Sequence, residues 1–447
     1  MFGSNPVCSP PMPRIRTSAP VRFKLSVAWA ALLLPGLVLA GACASSSKPT
    51  GSARAGQTTT TRASGSAVTP QANGPTYTVG VLTDLTGLAA SSERTSVQGV
   101  QAGVFLAGQE GHKLKYVVAD TTSSPAGALS AAQKLVEEDH AFVIIASSGL
   151  TFAASDFLAS HHIPVVGAAQ DGPEWLTSST MFSVFGRADA TKVATTVGEF
   201  MKMQGVTNVG SVGYGISPLS ADAAKSEAIS AEAAGLKAGY VDPNFPFGGT
   251  NVQPVALGMR SAGIDGMTAS VEPNTAFALV TALRLLGVNL KVALLATGYG
   301  GDLAQGGQDA IQSAQGIYFF VPFEPVEMGT PATQRFLGAL RGVGVAGDPT
   351  YSEYIGYTSV DMVVRGLRQA GPNPSQASFI TALDAVHDYD AAGLLGPHTL
   401  DLGSMARNVF GPDNCVYVTK LVASTFQLVS GADPICGSVV PGKSVSP

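Results

Sequence analysis

"LKYVVADTTSSPAGALSAAQKLVEEDHAFVIIASSG", residues 114–149, decides the fold. LKYVVAD (114–120) reads as a strand and FVIIAS (142–147) as a second. Between them, PAGALSAAQKLVEED (125–139) puts Leu129, Ala132, Leu135 and Val136 on one helical face. Two apolar strands joined by a helix pair most simply in parallel. Strands apolar on both sides belong to a sheet covered on both faces.

The same alternation extends in both directions. Upstream lie a strand, YTVGVLTDL (77–85), and a helix, ERTSVQGVQAGVFLAGQE (93–110), with Val97, Val100, Val104 and Leu106 near helical spacing. Downstream lie a helix at 152–162 and a strand, IPVVGAA (163–169). The pattern then restarts. Helices are expected at 190–205, 219–235, 251–263 and 274–287, and strands at 206–214, 238–245, 264–271 and 290–297. Two consecutive α/β units predict two doubly wound parallel-sheet lobes. Ligands of such sheets bind outside the carboxyl ends of the strands, which here can face one another across a cleft.

The chain has 447 residues and a formal charge of −5, unevenly spread. Residues 1–75 carry seven Lys/Arg and no acid, whereas 76–447 carry 19 basic and 31 acidic residues, net −12. An acidic body without a basic patch argues against a nucleic-acid partner. Arg14, Arg16, Arg22 and Lys24 precede the apolar run LSVAWAALLLPGLVLAGA, the layout of a secretory signal. Pro35 and the small residues at its end weaken that run as a membrane span. Leu39-Ala40-Gly41-Ala42-Cys43 resembles the lipobox of bacterial lipoproteins, although Ala40 stands where Leu is usual. The resemblance implies cleavage after residue 42, lipidation of Cys43 and attachment to the outer face of the cell membrane. Simple secretion, with Cys43 incidental, is the alternative, and Met12 is a second candidate start. The following Ser/Thr-rich stretch to residue 75 is too poor in apolar residues to order itself and reads as a stalk.

Two cysteines remain in the body, Cys415 and Cys436, flanking two β-rich runs. In an exported protein they are expected to form a disulfide. With no histidine nearby in sequence, a metal site there is not expected, nor is any cofactor. The six histidines show no metal-ligand spacing. GVGVAG (342–347) fits a dinucleotide-loop pattern but follows a helical segment instead of a strand, so a loop is expected. No nucleophile elbow is present, and the chain is not expected to be an enzyme.

Taken in order, VGVLTDLTG, VQGVQAGV, the 114–149 block, HHIPVVGAA, GIYFFVPF (316–323) and YIGYTSVDMVVRGLRQAG (354–371) resemble the type I periplasmic-type solute-binding proteins of ABC transporters, the leucine/isoleucine/valine-binding group. The resemblance runs from about 77 to 420. It implies a first lobe of 76–188 plus about 323–408, and a second of 189–322 plus about 409–447. It also implies a monomer that captures an amino-acid-like solute and passes it to ABC permease subunits. A sensing receptor of the same fold is the alternative, and a secreted enzyme a remoter one.

Relatives hold the ligand's α-carboxylate on the first lobe. By position, that role falls to Ser148 and to Ala168, Ala169 and Gln170. Ser148 lies between a strand and a helix start, where amides and the helix dipole favour an anion. It equally suits an ordinary helix cap. Gln170 replaces the family's usual Thr or Ser. Ser91 and Ser92 line the wall after the first strand, and Tyr214, Glu272, Thr297 and Tyr299 fall at strand ends of the second lobe. The loop of Thr297 and Tyr299 shows no acid at the family's ammonium-pairing position. Glu272 is the candidate replacement, and a carboxylate ligand without an amine is a further possibility.

Overall fold

The computed structural model describes residues 74–186, 189, 191–403 and 412–445. The signal segment, Cys43 and the stalk up to residue 73 lie outside the described residues, as do the segments where lobe boundaries near 188 and 408 are expected.

Strands are numbered along the chain. β1 (Tyr77–Thr83), β2 (Leu114–Asp120), β3 (Val143–Ser147), β4 (Val165–Gly167) and β5 (Met181–Ser183) form one sheet in the order β2-β1-β3-β4-β5, with every pairing parallel. Alternate residues point to opposite faces, as a two-residue period requires. Val79, Val81, Val143 and Ile145 join the large core shared with the second sheet. Leu82, Ile144 and Ala146 join a separate core with Trp175 and the helices Pro125–Gln133 and Phe152–Ser160. Burial on both faces is what the apolar runs predict.

β6 (Lys192–Ala194) leads into β7 (Asn208–Tyr214), β8 (Lys237–Phe245), β9 (Gly266–Ser270), β10 (Val292–Leu295) and β11 (Tyr318–Val321). β12 (Cys415–Val422), β13 (Thr425–Leu428), β14 (Ile435–Cys436) and β15 (Val439–Ser444) follow. The second sheet runs β13-β12-β11-β10-β9-β7-β8, and β14 pairs with β12. Its β7 to β11 pairings are parallel, whereas β12 lies antiparallel to β11 and β13. Thus the final segment returns to the second sheet after the chain has visited the first. A disulfide joins Cys415 and Cys436, directly opposite each other on β12 and β14.

Several helices begin at side-chain caps. Ser124, Ser217 and Thr330 each accept a backbone amide three residues on, and each is followed by proline. Thr350 and Glu353 form a reciprocal capping box that opens the long helix Tyr351–Ala370. This helix crosses Ser96–Gln109 at glycine contacts. A Cβ on Gly99 would sit 2.1 Å from the Glu353 carbonyl oxygen, and one on Gly356 would sit 2.1 Å from that of Ser96. The crossing fixes Tyr351 and Ser352 close to the carboxyl ends of the first sheet.

The helix expected across 93–110 is divided into Ala90–Glu93 and Ser96–Gln109, and one segment differs from expectation in kind. The helix expected across 190–205 is confined to Thr196–Met203. Its beginning is β6, paired antiparallel with β15 and continued by Thr195 N donating to the Ser438 carbonyl at 2.9 Å. A partner strand 245 residues away outweighs local helix preference, and nothing local announces it. GVGVAG is a loop following the helix Pro331–Gly342, as read. No helix among the described residues is long and apolar enough to cross a membrane.

Candidate functional site

The parallel strands of both sheets present their carboxyl ends to one locus. After β1, Thr83 gives way to Asp84, and the short helix Ala90–Glu93 follows. After β9, Ser270 gives way to Glu272, which precedes the helix Pro273–Leu285. Ser92 Oγ donates to Glu272 Oε2 as well as to the Ala89 carbonyl. This hydrogen bond joins the first-sheet side to the second-sheet side through two of the expected residues.

Further expected residues gather around it. Tyr214, at the end of β7, accepts the Glu272 amide on its Oη at 3.2 Å and shares a hydrogen bond with Thr275. Burial pushes its phenol up to about 12, so it stays protonated. Thr297 donates to the Val271 carbonyl at 2.7 Å, tying the loops after β9 and β10 together. Tyr299 goes elsewhere. Its hydroxyl donates to Glu327 and its ring packs on Phe426 at 5.0 Å, which places it in the aromatic core.

Of the expected anion-binding groups, Ser148, Ala168 and Ala169 have their donors committed, whereas Gln170 Nε2 is buried without a hydrogen-bond partner of ordinary geometry. Ser148 Oγ donates to Asp84 Oδ1 at 3.1 Å while accepting the Leu150 amide. The Ala168 amide donates to the Ala146 carbonyl and the Ala169 amide to Ser183 Oγ. At the next helix, the Phe152 amide donates to the buried Asp171 carboxylate at 2.6 Å, and Trp175 Nε1 donates to its other oxygen. The chain's own acceptors thus take three of the four donors expected to hold a ligand carboxylate.

Sequence reasoning missed the acids. Glu93 is buried and receives Ser147 Oγ at 2.8 Å and Ser352 Oγ at 3.1 Å on one oxygen. Burial, reinforced by the nearby Asp84 charge, raises its carboxyl to about 7 against the hydrogen bonds of Ser147, Ser352 and Gln170. Asp302 lies three residues beyond Tyr299, so the segment thought to lack an acid supplies one. Its Oδ2 accepts the Tyr351 amide at 3.3 Å, and burial holds its carboxyl well above the usual range. Burial does the same to Glu272, opposed by the Ser92 hydrogen bond and reinforced by Glu93, Asp84 and Asp302. Asp84 is raised by burial against its hydrogen bonds from Thr121, Ser148 and Gly149. The position of Asp84 at a strand's carboxyl end was a legible signal. Glu93 and Asp302 gave none, because only the crossing of Tyr351–Ala370 brings Ser352 and Tyr351 to them.

Beyond the carboxyl end of β11, His398 approaches the Cys415 and Cys436 sulfurs within 4.8 Å, although no histidine is near them in sequence. The sulfurs are spent in the disulfide, and His398 Nδ1 pairs with Asp413 at 2.9 Å, so the trio offers no metal-ligand set.

The sequence model described as periplasmic binding protein matches residues 76–425. Among solved structures, the chain resembles an ABC-transporter solute-binding protein of R. palustris in complex with 4-hydroxybenzoate: TM-score 0.66, 18% identity, covering 83% of this chain and 97% of that one. A leucine-binding protein LivK of Thermotoga maritima gives TM-score 0.64 and 16% identity over 79% of this chain and 97% of that one. A possible leucine/isoleucine/valine-binding protein of Rhodopirellula baltica gives 0.66 and 15% over 81% and 98%. No curated protein matches the sequence.

Proposed function

The chain belongs to the periplasmic binding protein family, and from that premise we propose that it captures a small polar solute between its two sheets and delivers it to an ABC permease. The observation that carries this reading is the Ser92–Glu272 hydrogen bond, which joins the segments that follow the carboxyl ends of parallel strands β1 and β9 of the two sheets. Side chains at such ends are free of the ladder and can exchange partners with a ligand. The two lobes, 76–188 plus about 323–408 and 189–322 plus about 409–447, open and close around the solute, and a ligand that bridges them favours the closed form. Lipidation of Cys43 holds the receptor at the outer face of the membrane, within the reach of its stalk. Similar structures hold 4-hydroxybenzoate, benzoate and 3,4-dihydroxybenzoic acid, and another is a leucine-binding protein. The proposed solutes therefore begin with amino acids, carboxylates and amides.

Binding to the native state raises the melting temperature. A thermal-shift screen of amino acids, carboxylates, amides and amines is expected to give at least one saturable shift. Silence across all four classes would refute solute capture. Mass spectrometry of the mature N-terminus tests the anchor, and an unmodified residue there would refute it.

A further inference from the structure

Resting on the reading that this site takes a small solute, we propose that the ligand is an organic cation with N–H donors, an amine or guanidinium without a free carboxylate. Four carboxylates from four segments converge where the sheets meet. Thr83 Oγ1 donates to the Glu93 carbonyl, which links Glu93 to the strand end bearing Asp84. Ser147 and Ser148, adjacent in sequence, donate to Glu93 and Asp84 respectively. Ser92 reaches Glu272, and Ser352 contacts both the Ser92 carbonyl and Glu93 while the Tyr351 amide reaches Asp302.

A second observation points to a missing donor. Asp302 is 6% exposed, and its Oδ1 has no hydrogen-bond partner. Its charge is among those acting on Glu272, and Glu93 and Glu353 act on it in turn. Asp84, fully buried, likewise has an oxygen, Oδ2, that makes no hydrogen bond of ordinary geometry. A buried carboxylate oxygen without a donor is costly, and a bound N–H would satisfy it.

The arrangement discriminates among ligand types. An added carboxylate would bring further acceptor oxygens beside carboxyl oxygens that already lack donors, and the Ser148, Ala168, Ala169 and Phe152 donors are already used, which leaves the Gln170 side-chain amide among the expected donors. A single metal ion is a poor fit. Among the described residues, no three of these carboxylates bring ligand oxygens within 4.8 Å of one another. An extended organic cation can reach separate acceptors. A quaternary ammonium supplies charge but no donor for Asp302 Oδ1.

Titration calorimetry of the intact protein with putrescine, agmatine, tetramethylammonium, leucine, 4-hydroxybenzoate, acetamide and calcium chloride tests the proposal. Putrescine or agmatine is expected to bind, with tetramethylammonium at least tenfold weaker. Asp302→Asn and Glu272→Gln are each expected to weaken binding by tenfold or more. Each amide is nearly isosteric with the acid it replaces and keeps an acceptor oxygen, so each is expected to leave the melting temperature of the ligand-free protein close to the native value, which separates lost recognition from lost folding. Binding of a neutral or anionic solute but no cation would overturn the inference and leave solute capture standing. Calcium binding that displaces the amine, or variants that bind the amine as tightly as the native chain, would overturn it as well. If no solute of any charge binds, both this inference and the solute-capture reading fail.

Discussion

Replacing Glu227 with glutamine should flatten the pH dependence of stability. Glu227 lies on the helix Pro218–Ala233, and its carboxylate is buried against β9, where Thr268 and Ser270 donate to it. Burial raises its pKa from 4.5 to about 7, with only those two hydroxyls opposing the shift. Between these values the folded chain keeps the proton while the unfolded chain has released it. The folded state therefore binds more protons, and stability falls as pH rises through this window. At about 1.4 kcal/mol per pH decade, the group removes about 3 kcal/mol between its unfolded pKa and its folded one. Glutamine keeps an acceptor for Thr268 and abolishes the titration. Urea unfolding of both proteins at pH 5, 6, 7 and 8 gives the two slopes. Glu93, also raised to about 7, contributes to both curves and cancels in their difference. The native chain is expected to lose about 3 kcal/mol more than Glu227→Gln across the range. Parallel curves would show that Glu227 ionises normally and would refute the reasoning.

Other expectations follow from packing and covalent structure. Gly356→Val forces a side chain into the backbone at the helix crossing, where a Cβ alone would lie 2.1 Å from the Ser96 carbonyl oxygen. A loss of about 3 kcal/mol or more is expected in urea unfolding, with native-like stability as the refuting result. Replacing Cys415 and Cys436 by serine opens a loop with a sequence separation of 21 and should cost about 3 kcal/mol, read as a lower midpoint that reducing agent no longer changes. Asp265 caps the Thr207 and Asn208 amides and pairs with Lys291, and these bonds hold its carboxyl down to about 2 against slight burial. Its contribution is present above the unfolded pKa and lost as pH falls toward 2, so Asp265→Ala should cost about 1 kcal/mol at pH 7 and progressively less in acid. An equal effect at both pH values would remove the ionised capping role.

Residues 114–149 established the architecture because apolar strand runs and a helical stripe are local properties, and each strand had to be covered on both faces whatever its partner. Strand-end positions were legible for the same reason. Ser148, Tyr214 and Glu272 lie at strand ends because strands end where their periodicity stops, and Ser92 lies on the short helix that follows β1. What those side chains meet was not legible. The pairing of β6 with β15, the arrival of Tyr351 and Ser352 beside Glu93 and Asp302, and the loss of Tyr299 to an aromatic core all depend on segments far apart in sequence. The partners of the expected anion-binding donors were decided at that level as well. Ser148 at the mouth of a helix read as an anion anchor from local geometry. Only the fold brings Asp84 to the Ser148 hydroxyl and Asp171 to the Phe152 amide. Electrostatics inside a protein sums over neighbours in space, and sequence spacing carries little of that information.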